Sequence, residues 1–203
     1  MPGIVFLEQS NQGSDVKGML FYRASSYLIA MSKGKNMGKN IVLIGMPGVG
    51  KSTSGVILAK VLNYDFLDSD LVIQHQTGKL LKEIIAEKGI DGFNAVENEI
   101  NSQIDVENTV IATGGSVIFG ADAMAHFKES GIVVYLRISY DLLDERLGDL
   151  DERGVVHKEG QTLRDIYNER TALYEKYADI TVDLDGKDVA ATVDAVVAQL
   201  EGK

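Results

Sequence analysis

The chain has 203 residues, 45% of them apolar and 25% charged, enough for one well-buried domain of ordinary composition. It has no cysteine, which excludes disulfides, thiolate nucleophiles and Cys-ligated metals and fits a reducing, cytoplasmic setting; its three histidines, at 75, 126 and 157, are not spaced as a metal cluster. A net charge of −10 argues against nucleic acid as a partner, and no run reaches the roughly 18 apolar residues of a membrane helix, so any phosphate must be met in a local pocket.

Residues 1–38 differ from the rest. "QSNQGSD" is polar, "MSKGKNMGKN" is basic and rich in Gly, and the apolar stretch between them is broken by Arg23, which makes a poor signal peptide. They are expected to form a flexible or spurious extension, with Met31 or Met37 as alternative starts, ahead of one domain over 39–203. From there strands and helices alternate. "NIVLIG" is a short apolar strand; "KSTSGVILAKVLN" has apolar residues at helical spacing. "YDFLDSD" is a second strand ending in carboxylates. "DLVIQHQTG" and "KLLKEIIAEKG" are helices each stopped by Gly, and "IDGFNAVENEINSQI" is a third helical stretch. "NTVIAT" is a strand, "ADAMAHFKES" a helix, "GIVVYLRI" a strand, and "SYDLLDERLG" a helix with Ser139 as its cap. The polar segment 149–160 reads as a loop. "QTLRDIYNERTALYEKYA" is a helix, "DITVDLD" the fifth strand, and "KDVAATVDAVVAQLEG" a closing helix. Five strands separated by helices predict an α/β fold with a parallel sheet covered on both faces. Ligands in such sheets bind beyond the carboxyl ends of the strands, where the Gly loop, "DSD" and "TGGS" all fall.

Gly45-Met-Pro-Gly-Val-Gly50-Lys51-Ser52 matches G-x-x-x-x-G-K-[ST] in full, with a strand before it and a helix after it. Its glycines let successive N–H groups curl around phosphate oxygens, and the helix adds its positive end. Gly45, Gly48, Val49, Gly50, Lys51, Ser52 and Thr53 are therefore the expected nucleotide-binding set. Lys51 reaches the outer phosphates and the Ser52 hydroxyl serves Mg²⁺. Asp68 and Asp70 flank Ser69; in extended chain both would point one way, one orienting the metal and the other accepting a proton from an acceptor hydroxyl. Either is equally at home as a helix N-cap. Gly114 and Gly115 allow close backbone approach to a ligand, or simply a tight turn. Arg153 in the polar loop suits a lid cation or an exposed charge. Arg170, judged by its neighbours in sequence alone, belongs on a solvated helix face.

In this order and spacing, the P-loop, "FLDSD", "GFNAVEN", "ATGGS", an Arg-bearing lid and "ERTALYEKYADITVD" resemble the shikimate kinases over essentially all of 40–185. The resemblance implies a P-loop kinase fold with a five-stranded parallel sheet in the order 2-3-1-4-5, and transfer of the ATP γ-phosphate to the 3-hydroxyl of shikimate by a monomer using Mg²⁺. It implies Asp68 beside the metal, Asp70 at the acceptor hydroxyls, Phe93, Glu97, Gly114 and Gly115 lining the acceptor pocket, Arg153 on the lid, Arg170 on the acceptor carboxylate and Arg146 against adenine. The family pattern has Arg where Asn94 stands, Gly at Ser116 and Pro at Ala172. Asn lacks the guanidinium fork, so Asn94 is expected to bind the acceptor through a hydrogen bond to a neutral group. A kinase for another small metabolite such as a sugar acid, and a non-catalytic nucleotide-binding regulator, are the other readings of the residues.

Overall fold

The structure, a computed structural model, describes residues 38–147, 156–157 and 160–202. The expected N-terminal extension, apart from its last residue, and Arg153 lie outside the described residues. Five parallel strands are laid out as β1 (Asn40–Ile44), β2 (Asp65–Asp68), β3 (Thr109–Ala112), β4 (Gly131–Arg137) and β5 (Ile180–Asp183), in the order β2-β3-β1-β4-β5. The central strand β1 pairs Ile41 with Val110 on one side and with Ile132 on the other. Covered on both faces, β1 and β3 are wholly buried, which is why they read as continuous apolar runs and not as alternating ones.

The helices are α1 (Lys51–Leu62), α2 (Ser69–Thr77), α3 (Leu81–Asn101), α4 (Ala121–Ser130), α5 (Tyr140–Leu147), α6 (Leu163–Tyr177) and α7 (Val189–Glu201), with a 3₁₀ turn at Val117–Phe119. From β1 the chain first crosses towards β2, then reverses and steps through β3 and β4 to β5. Right-handed crossovers put α1 on one face of the sheet and α2 to α6 on the other; α7 then returns to pack on α1. The direction reverses around β1, so the crevice opens at the carboxyl end of that strand.

Local chemistry accounts for most boundaries. Gly78 ends α2 and Asn63 ends α1, both left-handed. The break expected at Gly89 is a kink inside α3, with φ 70° and ψ −178°. Ser139 stands before α5, its carbonyl accepting the first helical bond from Leu143 N. Thr162 and Asp165 form a capping box at the start of α6. The carboxylates at the end of β2 depart from the extended-chain expectation: the strand stops at Asp68, and Asp70 is already in the first turn of α2. Asp68 is the N-cap, its Oδ1 accepting from Asp70 N at 3.0 Å. Capping the orphan amide wins over two more residues of strand.

Asn40 ties the lower end of the sheet together. Its side chain donates to Val106 O at 2.7 Å and accepts from Thr109 N at 3.1 Å, at a buried position. Asn40→Ala strands both groups, and is expected to lower the unfolding free energy by about 2 kcal/mol in urea titrations, with no change in nucleotide binding.

Candidate functional site

A cavity of about 420 Å³ opens at the carboxyl ends of β1 and β3. Its lining includes Gly48, Gly50, Lys51, Ser52 and Thr53 on one side and Asp70, Phe93, Gly114, Gly115 and Arg170 on the other. The fold therefore brings together residues spread over about 120 positions of chain. The P-loop makes the first wall. Gly45, Gly48 and Gly50 all have positive φ, of 146°, 78° and 89°. At Gly45 a Cβ would also stand 2.7 Å from Leu136 O, and at Gly48 2.7 Å from Leu147 Cδ2. That second contact docks the end of α5 on the loop; Arg146, the residue before Leu147, is half-buried there and does not line the cavity. Val49 is buried beneath the loop.

Lys51 is only 8% exposed. Its Nζ donates to Gly45 O at 2.7 Å and Met46 O at 3.0 Å, inside the loop. Burial pulls its pKa down to about 8, partly offset by Asp70, so at neutral pH it is a charged ammonium that burial makes costly. Beside it Ser52 Oγ donates to Asp68 Oδ2 at 2.7 Å. Among the described residues no three His, Asp or Glu cluster closely enough to hold a metal. The Ser52 hydroxyl with the Asp68 carboxylate is a two-oxygen set, and hard oxygens of this kind suit Mg²⁺, which takes few protein ligands and keeps waters and phosphates for the rest.

The opposite wall is built around the glycine turn after β3. Thr113 Oγ1 donates to Leu43 O and anchors the turn to β1. A Cβ on Gly114 would stand 2.5 Å from Glu97 Oε1 and 2.8 Å from Asp70 Oδ1. One on Gly115 would meet Pro47 at 2.8 Å. The close backbone approach expected of the two glycines is thus towards protein groups, of which Asp70 and Pro47 themselves line the cavity. Asp70 has its pKa raised, first by burial and then by Asp68. Glu97 is 2% exposed and does not line the cavity; it lies behind Gly114.

Arg170 departs from the solvated face that its sequence neighbours suggested. It is 3% exposed, Nη1 donating to Gly115 O at 3.4 Å and Nη2 to Val156 O, with the guanidinium 5.6 Å from the Phe119 ring. The signal was periodicity: Leu163, Ile166, Arg170 and Tyr174 are the buried residues of α6, spaced as one stripe. Tyr174 was missed for the same reason. It is fully buried and donates to Gly115 O at 2.6 Å, so both side chains of the i,i+4 pair grip one carbonyl. Ser116, singled out only as a departure, is buried and donates to Glu97. Asn94 does not line the large cavity. It borders a neighbouring pocket of about 70 Å³ with Asp91, Gln161 and Glu169; the two pockets share Val156 and Arg170.

A family model described as shikimate kinase matches residues 47–201. The shikimate kinase of Thermodesulfovibrio yellowstonii is 34% identical over 166 residues, spanning 80% of this chain and 95% of that protein. That of Alteromonas mediterranea is 38% identical over 165 residues, spanning 80% and 96%. Among solved structures, shikimate kinase from Acinetobacter baumannii in complex with shikimate superposes with a TM-score of 0.73 at 33% identity, over 84% of this chain and 96% of that one. The enzyme from Aquifex aeolicus gives 0.69 at 32% identity, over 80% and 96%.

Two outcomes follow from the geometry. Nucleotide phosphates favour charged Lys51, so affinity for a nucleoside triphosphate should fall as pH rises through about 8, by up to about tenfold per unit; fluorescence titrations at several pH values check it. Gly114→Ala pushes on Glu97 and Asp70 together. It should raise the acceptor KM by on the order of tenfold to a hundredfold in steady-state assays, with nucleotide affinity within about twofold.

Proposed function

The chain belongs to the shikimate kinase family, and from that membership we propose how its cleft transfers the γ-phosphoryl group of ATP to the 3-hydroxyl of shikimate. The observation that carries the proposal is that Lys51 of the P-loop lines the same cavity as Asp70 and Arg170. Donor and acceptor groups face one space, as an in-line transfer requires.

On the donor side, the N–H groups of the loop and the start of α1 cradle the phosphates. Lys51 exchanges the two loop carbonyls for phosphate oxygens and neutralises charge on the moving group. Ser52 and Asp68 would hold Mg²⁺, which when bound supplies further neutralisation of the phosphate oxygens. Thr53, also at the cavity wall, adds a hydroxyl at the helix start, and Arg146 of α5 would pack against the adenine. Arg153 belongs to the same proposal as a lid cation closing over the phosphates and excluding water.

On the acceptor side, Asp70 holds the reacting hydroxyl and takes its proton. Burial raises its pKa, which makes the carboxylate a better base than one in water. Phe93 supplies an apolar wall. Arg170 releases Gly115 O or Val156 O to bind the shikimate carboxylate by a charge-assisted bond. Asn94, standing where the family pattern has Arg, adds only a neutral contact from the neighbouring pocket. We propose a monomer in the cytoplasm as the working unit, and the acidic body supports small-molecule partners over nucleic acid.

A coupled ADP-release assay with shikimate and a panel of polyol acids tests the proposal. ADP should be released with shikimate in preference to sugar acids; no ADP release with any acceptor would favour a nucleotide-binding regulator. Lys51→Ala should lower kcat/KM by at least about a hundredfold to a thousandfold. Asp70→Asn should lower kcat by a similar factor while ATP still binds, and undiminished turnover in both variants would refute the assignment of roles.

A further inference from the structure

Among the described residues, Glu97 is the one buried acid at the cleft that the mechanism above leaves without work. It projects from α3 on the same stripe as Phe93 and Ile100, so packing holds it inward. It comes to rest behind Gly114, where the missing side chain makes room for its carboxyl. Ser116 donates to it, while Oε1 is buried with no hydrogen-bond partner. No described salt bridge reaches it. The two nearby cations are committed elsewhere, Lys51 to the loop carbonyls and Arg170 to Gly115 O and Val156 O. Its helical neighbours Phe93, Asn94, Ile100 and Asn101 carry no charge.

We propose that Glu97 is a positioning residue that works as a neutral carboxylic acid, keeping Ser116 and the glycine turn in place while leaving the positive charge of Arg170 free for an anionic acceptor. An ionised Glu97 would be a buried charge with a hydroxyl beside it but no paired cation, which is the costlier state. Its proton would also be lost at the expense of acceptor binding. A second negative charge beside Asp70 repels a carboxylate-bearing acceptor and draws Arg170 back towards α3. The groups that face Glu97 are Asp70 from α2, Arg170 from α6, Lys51 from α1 and the Ser116 hydroxyl. Burial, reinforced by Asp70 and offset by Ser116, Arg170 and Lys51, pushes its pKa up to about 7. The sign follows: the acid form, which favours an anionic acceptor, is present below about pH 7 and is lost as pH rises through it.

The inference rests on shikimate as acceptor, and the experiment separates the two. Shikimate KM is measured at saturating MgATP from about pH 6 to 9 for the wild type and Glu97→Gln. The wild-type KM should climb above pH 7, by up to about tenfold per unit, and the Gln variant, which keeps a neutral acceptor for Ser116, should show a flat profile. Parallel profiles in the two proteins would overturn the proposal, because a purely structural role shifts KM equally at every pH. If the wild type turns over no shikimate, or the variant does not fold, ¹³C-carboxyl titration of the glutamate-labelled wild type decides. One glutamate with a midpoint near 7 supports the inference; all glutamates titrating in the ordinary carboxylate range sinks it.

Discussion

The acceptor side of the cleft depends on two residues without side chains. Gly114 gives way to Glu97 and Asp70, and Gly115 to Pro47 and Arg170. The carbonyl of Gly115 then accepts from both Tyr174 and Arg170. Four elements, α2, α3, α6 and the P-loop, therefore meet at one turn of backbone at the end of β3. Any side chain there would separate groups that must face the same few atoms of substrate. The turn is in turn hung from the sheet by Thr113 on Leu43 O, so its position is inherited from the β1–β3 register.

Electrostatics at the site follows from how dry it is. Lys51, Asp70 and Glu97 all have pKa values displaced chiefly by burial, the lysine downward and the acids upward. Each displacement brings a group closer to neutrality, where proton transfer and charge compensation by ligands are cheapest. Lys51 and Arg170 are both held by backbone carbonyls, weak partners that a phosphate or a carboxylate can replace. The cleft thus keeps its cations ordered without neutralising them.

The two halves of the site differ in how they are encoded. The donor half is contiguous: a strand, a glycine loop and a helix start within thirteen residues, 41–53, and local geometry is enough to specify it. The acceptor half is assembled from α2, the β3 turn, α3 and α6. Asp68 shows the difference. Its cap role and its contact with Ser52 were each foreseeable, but only the packing of α1 against β2 shows that one carboxylate serves both, Oδ1 to the helix and Oδ2 to the hydroxyl.

The sequence by itself determined the alternation of strands and helices, the strand order through family resemblance, the P-loop and its ligand class, and the breaks at Gly78 and Gly89. Apart from the strand order, which the resemblance implied, these rest on local propensity and on spacing, which chain neighbours decide. Tertiary structure alone decided that Arg170 is buried and not solvated, that Tyr174 shares its carbonyl partner, that Glu97 stands behind the turn and that Asn94 faces a separate small pocket. A charged residue on a helix has no local mark of burial. Its surroundings are set by which helix and which turn the sheet topology brings against it, 55 residues away in the case of Arg170 and Gly115.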